Sequence, residues 1–357
     1  MNTKPFVSRA LHALFALGLV ATVAASPAFA APQNNGVVSS KVSDQQAQTA
    51  IEFWTPERMK KAKPLTPTLQ GKPQSSGPSA ESSPSGSPVK VNPASATPKA
   101  TEAPSSTEAP QATATEDPIP LHATAVPQPY TDYPDRLNGK VFLVTPSGAL
   151  GQCSATVVNS EGKSTVWTAG HCVHGGRGSQ FFTNWVFVPA YSSSFNGHRP
   201  YGTWSARQLF TLTEWAVNSN ARQDLGAVVV NRLNNQRIVD ALGGQGIAFN
   251  QSRNQNFSAF GYPAESPFNS FLQWRCNSSR LGDDFPPGVG PATLRIHCNM
   301  TRGSSGGGWL INIGSNGLGF LNGLNSYRYG STPDNLFGPY HANEALALYN
   351  AVRNQSA

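Results

Sequence analysis

Three short stretches of this chain hold residue types that can do nucleophilic chemistry together. In "STVWTAGHCVHGG", His171 follows an apolar run and stands beside Cys172. An imidazole there suits a general base, a structural role, or zinc binding with Cys153, Cys172 and His174. The spacing lacks the paired knuckles of a structural zinc site, so no metal and no cofactor are expected. In "ARQDLGAVVV", Asp224 leads straight into an apolar run. An acidic residue in that place is a turn former or has a polar partner inside. Bonded to an imidazole, it would fix the tautomer and stabilise the imidazolium. In "TRGSSGGGWL", Ser305 lies between Gly303-Ser304 and Gly306-Gly307.

A Gly/Ser run is often a flexible joint. Here both flanks, "RIHCNM" and "GWLINI", alternate apolar residues with others, as half-buried strands do. A glycine turn between two strands is a structured element. It can present a serine nucleophile with backbone close on either side, and it offers main-chain N–H donors for an oxyanion at Gly303 and Ser305. Losing one such donor costs about 10²–10³ in rate.

The elements that must position these residues read as short strands broken by Gly, Pro and Asn. They are "KVFLVT", "SATVVN", "STVWTA", "WVFVPA", "LGAVVV", "NFSAFG", "SFLQWRC", "ATLRIHC", "GWLINI" and "GFLNGLNSY". The pattern predicts an all-β, antiparallel sandwich or barrel. The exception is "ANEALALYNAVRN", whose spacing and helix formers predict a C-terminal helix.

The ordered signals begin near residue 123 of 357. Residues 1–30 read as a signal peptide: Lys4 and Arg9, an apolar core, then Ala28-Phe29-Ala30. Residues 31–122 are rich in Pro, Ser, Thr and Ala, and read as a disordered spacer or a removable pro-segment. Within them "AIEFWTPERM" (Ala50 to Met59) is a candidate recognition element. An exported chain with four cysteines favours two disulfides. Three pairings are possible; the nearest-neighbour one, Cys153–Cys172 and Cys276–Cys298, closes a short loop in each half. The net charge of +7 falls in the region from Arg136 onward, with 16 Lys and Arg against 9 Asp and Glu. These charges are scattered, without the aromatic-interleaved stripe that nucleic-acid binding needs. No stretch is apolar enough to be a membrane span. A monomer is expected.

"TAGHC", "DLGAVVV" and "GSSGGG", in this order, resemble the chymotrypsin/trypsin-like serine endopeptidases, in particular their secreted bacterial, glutamyl endopeptidase-like branch. The resemblance covers roughly residues 137–340, and the spacings of 53 residues from His171 to Asp224 and 81 from Asp224 to Ser305 fit it. It implies two antiparallel β-barrels, about 137–240 and 241–340, with the site in the cleft between them. It implies His171 as general base, Asp224 as its orienting partner, Ser305 as nucleophile, and an oxyanion hole at Gly303 and Ser305. "GLNSY" is similar to the family's strand beside the site, which implicates Ser326 and Tyr327 in the pocket and in holding substrate backbone. Three positions depart from the pattern. Ser304 stands where relatives carry an aspartate that pairs with a new N-terminal amine, so that ion pair cannot form. Asn299 stands where trypsin-like relatives carry the pocket aspartate, which removes the usual basis for a Lys or Arg preference. Asn325 stands near the place where the glutamyl branch often has histidine. A serine esterase, or an inactive binding protein of the same fold, are the competing expectations.

Overall fold

The computed structural model describes residues 1–2, 36–65, 67–75, 86–97, 122–192 and 199–357. The expected signal peptide lies outside the described residues, apart from Met1 and Asn2. Residues 34–357 form one unit.

Before residue 122, the described stretches 36–65, 67–75 and 86–97 carry regular elements. Strand β1 (Val37–Lys41) lies antiparallel on a barrel strand, from Val37 opposite Leu212 to Lys41 opposite Gln208. Helix α1 (Asp44–Phe53) begins with a capping box, Ser43 Oγ accepting from the Gln46 N–H while Gln46 Oε1 accepts from the Ser43 N–H. Helix α2 (Pro56–Lys61) has Thr55 as its cap and Pro56 at its first position. Trp54, between the helices, is 1% exposed and donates its indole N–H to the Asn184 carbonyl at 2.5 Å. Ala47, Ala50, Met59 and Ala62 are buried as well. The described part of the segment is poor in apolar residues, yet it packs most of them against the core clusters, which offsets its ordering entropy. Four short strands follow: β2 (Lys63–Pro64), β3 (Thr68–Leu69), β4 (Val89–Val91) and β5 (Thr124–Ala125).

The first barrel consists of β6 (Asn138–Val144), β7 (Leu150–Val157), β8 (Thr165–Thr168), β9 (Thr183–Pro189), β10 (Trp204–Leu212) and β11 (Gly226–Val230). Its ladder runs β10-β11-β8-β7-β6-β9, and β9 pairs back onto β10, closing the sheet. Every residue of β8 and β11 is buried, which is why both read as continuous apolar runs in the sequence. Helix α3 (Thr213–Asn218) lies between β10 and β11.

After α4 (Ile238–Leu242) the second barrel is built from β12 (Gly246–Phe249), β13 (Asn256–Gly261), β14 (Trp274–Asp284), β15 (Thr293–His297), β16 (Gly308–Ile311), β17 (Phe320–Leu324), β18 (Arg328–Tyr329) and β19 (Asn335–Gly338). Its ladder runs β19-β15-β14-β13-β16-β17, with β12 parallel to β17. A bridge between Tyr327 and Phe337 brings the two ends together. Helix α5 (Asn343–Val352) follows and buries Ala345, Leu348, Tyr349 and Val352 in the large core cluster. Both expected disulfides are present, Cys153–Cys172 and Cys276–Cys298, one in each barrel. The described residues contain no helix long and apolar enough to cross a membrane.

Candidate active site

The expected residues converge where the barrels meet. His171 lies in a single 3₁₀ turn (Gly170–Cys172) that ends β8, and Asp224 caps another (Ala221–Gln223) just before β11. Because β8 and β11 are ladder neighbours, the two turns sit side by side. Asp224 is fully buried and accepts three hydrogen bonds. Its Oδ1 takes the His171 main-chain N–H at 2.7 Å, and its Oδ2 takes His171 Nδ1 at 2.7 Å and Ser326 Oγ at 2.5 Å. A carboxylate only accepts, so the imidazole proton is assigned to Nδ1. That leaves Nε2 as the basic nitrogen. Nε2 is buried and has no hydrogen-bond partner among the described residues. Trp215 packs edge-on against the imidazole with ring centroids 6.0 Å apart, and its own N–H goes to the His174 carbonyl. Nothing in the sequence pointed to Trp215.

Ser305 comes from the other barrel, on the turn between β15 and β16. The first barrel holds this turn through Ser154 on β7. The Ser154 N–H donates to the Ser305 carbonyl at 2.7 Å, and Ser154 Oγ donates to the Gly303 carbonyl at 2.9 Å. The Tyr262 N–H donates to the same hydroxyl at 2.9 Å, and Thr168 Oγ1 donates to the Ser154 carbonyl at 2.8 Å. The glycines are required here. Gly306 has φ +80°, and a Cβ there would run into Thr168 Oγ1 and the Ser154 carbonyl. Gly303 has φ +100°, with the Tyr262 carbonyl 2.8 Å from where a Cβ would be. The Ser304, Gly306 and Gly307 N–H groups are spent on Thr301, Asn325 and Ser304 carbonyls. The Gly303 N–H has no acceptor among the described residues.

The residues expected to line a pocket are placed differently from one another. Ser326 holds Asp224. Asn325 is a bracket: its amide N–H groups reach the Phe260 and Ser304 carbonyls, and its oxygen accepts from Trp309 Nε1 at 2.6 Å. Tyr327 is fully buried and stacks on Phe337. Its hydroxyl donates to Asp284 Oδ2 at 2.6 Å, as the Tyr329 hydroxyl does at 2.9 Å. Asn299 Oδ1 accepts the Ala123 N–H at 3.0 Å, tying the start of the body to the second barrel. Ser304 is 2% exposed and its hydroxyl goes to the Thr301 carbonyl. His174 Nδ1 accepts the Gly176 N–H, and burial lowers its pKa. Cys153 and Cys172 use their sulfurs on each other, so they are not available as thiolate ligands beside His171.

No protein-family model matches the chain, and no curated protein matches it. Solved structures do. The protease Anisep from Arthrobacter nicotinovorans is 40% identical, with a TM-score of 0.57, over 63% of this chain and 99% of its own. A thermostable serine protease, AL20, from an extremophilic microorganism is 38% identical, with a TM-score of 0.55, over 62% and 99%. A Glu endopeptidase shares the fold at 14% identity and a TM-score of 0.51, over 66% and 98%. With a closed first barrel and a second sheet, the expected catalytic residues gathered at their junction, and likeness over almost the whole length of one protease and one serine protease at 40% and 38% identity, the chain belongs to the chymotrypsin-like serine endopeptidases.

Proposed function

We propose that this chain is an exported serine endopeptidase that cleaves peptide bonds through an acyl-enzyme. The observation that carries the reading is the Asp224–His171 pair, buried and bonded at 2.7 Å, with the Nε2 face of the imidazole left without a partner. His171 Nε2 takes the Ser305 hydroxyl proton as the oxygen attacks the carbonyl carbon. The Gly303 and Ser305 N–H groups receive the oxyanion. Collapse expels the amine, which leaves with the proton from His171. Water, activated by the same nitrogen, then releases the acyl group. Asp224 stays ionised and orients the ring, and Ser326 orients Asp224. The two disulfides support an oxidising compartment. Residues 123–357 form the protease domain, and residues 31–122 are its pro-segment. The test is fluorophosphonate labelling followed by peptide mapping: the label belongs on Ser305, and Ser305→Ala must not react. A folded wild-type protein that takes no label at Ser305 refutes the proposal. Faster turnover of small esters together with no cleavage of any polypeptide would leave an esterase.

A further inference from the structure

Outside the candidate active site, three side chains have the chemistry to share one metal ion. His122, His297 and Asp334 offer two imidazole nitrogens and a carboxylate oxygen, and these ligand atoms all lie within 4.8 Å of one another. The two imidazole rings pack together at a tilt, with centroids 3.7 Å apart. Among the described residues none of the three side chains is committed to a hydrogen bond.

The frame sets this grouping. His297 ends β15 and Asp334 immediately precedes β19, and the register of that ladder puts His297 opposite Asn335, the neighbour of Asp334. The Cys298 N–H donates to the Asp334 carbonyl at 2.8 Å, and the His297 N–H donates to Ser278 Oγ at 2.9 Å. Cys298 is held in turn by its disulfide to Cys276. His122 arrives from another part of the chain. The Ala123 N–H donates to Asn299 Oδ1 at 3.0 Å, and β5 pairs with β14 directly after it. Backbone bonds thus fix two of the ligands and the residue next to the third. His122 is exposed, whereas His297 and Asp334 are half-buried, so the His122 ring can turn towards an ion at the cost of its stack on His297 alone.

We propose that His122, His297 and Asp334 form a binding site for a zinc-type divalent transition metal, with water completing the coordination. Zinc takes imidazole nitrogen and carboxylate oxygen at about 2.0–2.2 Å, which sets tetrahedral donors about 3.3 Å apart. From the present spread only a small closure is needed. Calcium and magnesium prefer shells of oxygen, so two imidazoles select against them. The set contains no thiol, so an oxidising compartment leaves it intact. Arg328 opposes the site: burial lowers the pKa of its guanidinium and the Asp334 carboxylate counters this, so the ion and Arg328 share one partner. The expectation of no metal rested on spacing along the chain, and these residues come from three separate stretches. The consequence is mechanical. The ion clips the chain at His122 to β15 and β19, beside a place held by the Asn299 bond, the two-residue β5 and the bond from the Val126 N–H to the Gln273 carbonyl. The site stands independently of the proposed function.

The test uses the purified full chain, stripped with a chelator and titrated with Zn²⁺ in a calorimeter. One equivalent should bind, and Co²⁺ in its place should show the intense visible absorption of a four-coordinate ion. His122→Ala, an exposed change with little risk to folding, and His297→Ala should each weaken binding at least about hundredfold, since even the outer partners of metal ligands are worth about 10–100-fold. Asp334→Asn should weaken it at least about tenfold. His171→Ala should bind as the wild type does. No uptake at millimolar Zn²⁺ overturns the site, and so does equal uptake by the wild type and both His122→Ala and His297→Ala. Uptake lost in His171→Ala but kept in His297→Ala puts the ion on the candidate catalytic imidazole and overturns it as well.

Discussion

Asp224→Asn keeps the size of the side chain and changes only which atoms accept. In the wild type Oδ1 serves the His171 main-chain N–H, while Oδ2 serves both His171 Nδ1–H and Ser326 Oγ–H. An amide nitrogen in the Oδ1 place would face a main-chain donor that cannot turn, and a buried donor left facing a donor costs about 1–3 kcal/mol. The nitrogen therefore takes the Oδ2 place. Ser326 can rotate its hydroxyl and accept, but His171 Nδ1 must then become an acceptor too. Its proton moves to Nε2, the atom that receives the Ser305 proton in the proposed reaction. A dyad in the wrong tautomer loses about 10⁴ in turnover. At 1.36 kcal/mol per decade this is about 5 kcal/mol of transition-state stabilisation. Folding should suffer far less, about 1–3 kcal/mol for one rearranged buried contact. The assay is kcat/KM on a peptide substrate at neutral pH, with the melting temperature measured in parallel. A folded variant that keeps more than about one percent of activity, when 10⁴ is expected, refutes the tautomer argument and returns Asp224 to a structural role.

Ser305→Ala and His171→Ala should each reduce amide hydrolysis to background while the protein stays folded, and the double variant should be no worse than either single one, since such groups act as a unit. Replacing Cys276 and Cys298 together by Ser should lower the unfolding free energy in urea by about 3 kcal/mol, the chain-entropy value for a loop of this size. Burial pushes the His341 imidazole down to about 3 from 6.5. Between these values the unfolded chain binds the extra proton and the folded chain does not. Stability should therefore fall as the pH falls from 6.5 towards 3, by up to about 1.4 kcal/mol per pH unit, and His341→Asn should flatten that limb in pH-dependent melts.

Much of the chemistry was legible because it is carried by local signals. "TAGHC" and "GSSGGG" state a turn and its candidate reactive residue within a few positions, and the apolar runs flanking Asp224 and His171 are the two adjacent strands that align them. The disulfide pairing followed from nearest neighbours. What escaped was non-local. β10 was missed because a register shift between Ala206 and Gln208 breaks its alternation. β12 and β19 are only four residues long. The order in residues 36–65 and 67–75 is hidden by composition, although "AIEFWTPERM" stands out in the sequence and holds the buried Trp54. The side chains of Asn325 and Tyr327 hold the frame through Trp309, Phe260 and Asp284, contacts 16 to 65 residues away that no local pattern announces. Ser154 looked like any serine in a strand, because its importance lies wholly in its contacts with the opposite barrel.

Those contacts have a consequence of their own. The Ser305 turn takes its shape from two sources at once: Asn325 within its own lobe, and Ser154 on the facing one, which fastens both Ser305 and Gly303. Neither half of the molecule contains a finished reactive centre, even if each were to fold alone. On the proposed function, activity therefore depends on the two lobes being docked, and the large core cluster, which draws residues such as Trp167 and Leu321 from both lobes, resists their sliding apart.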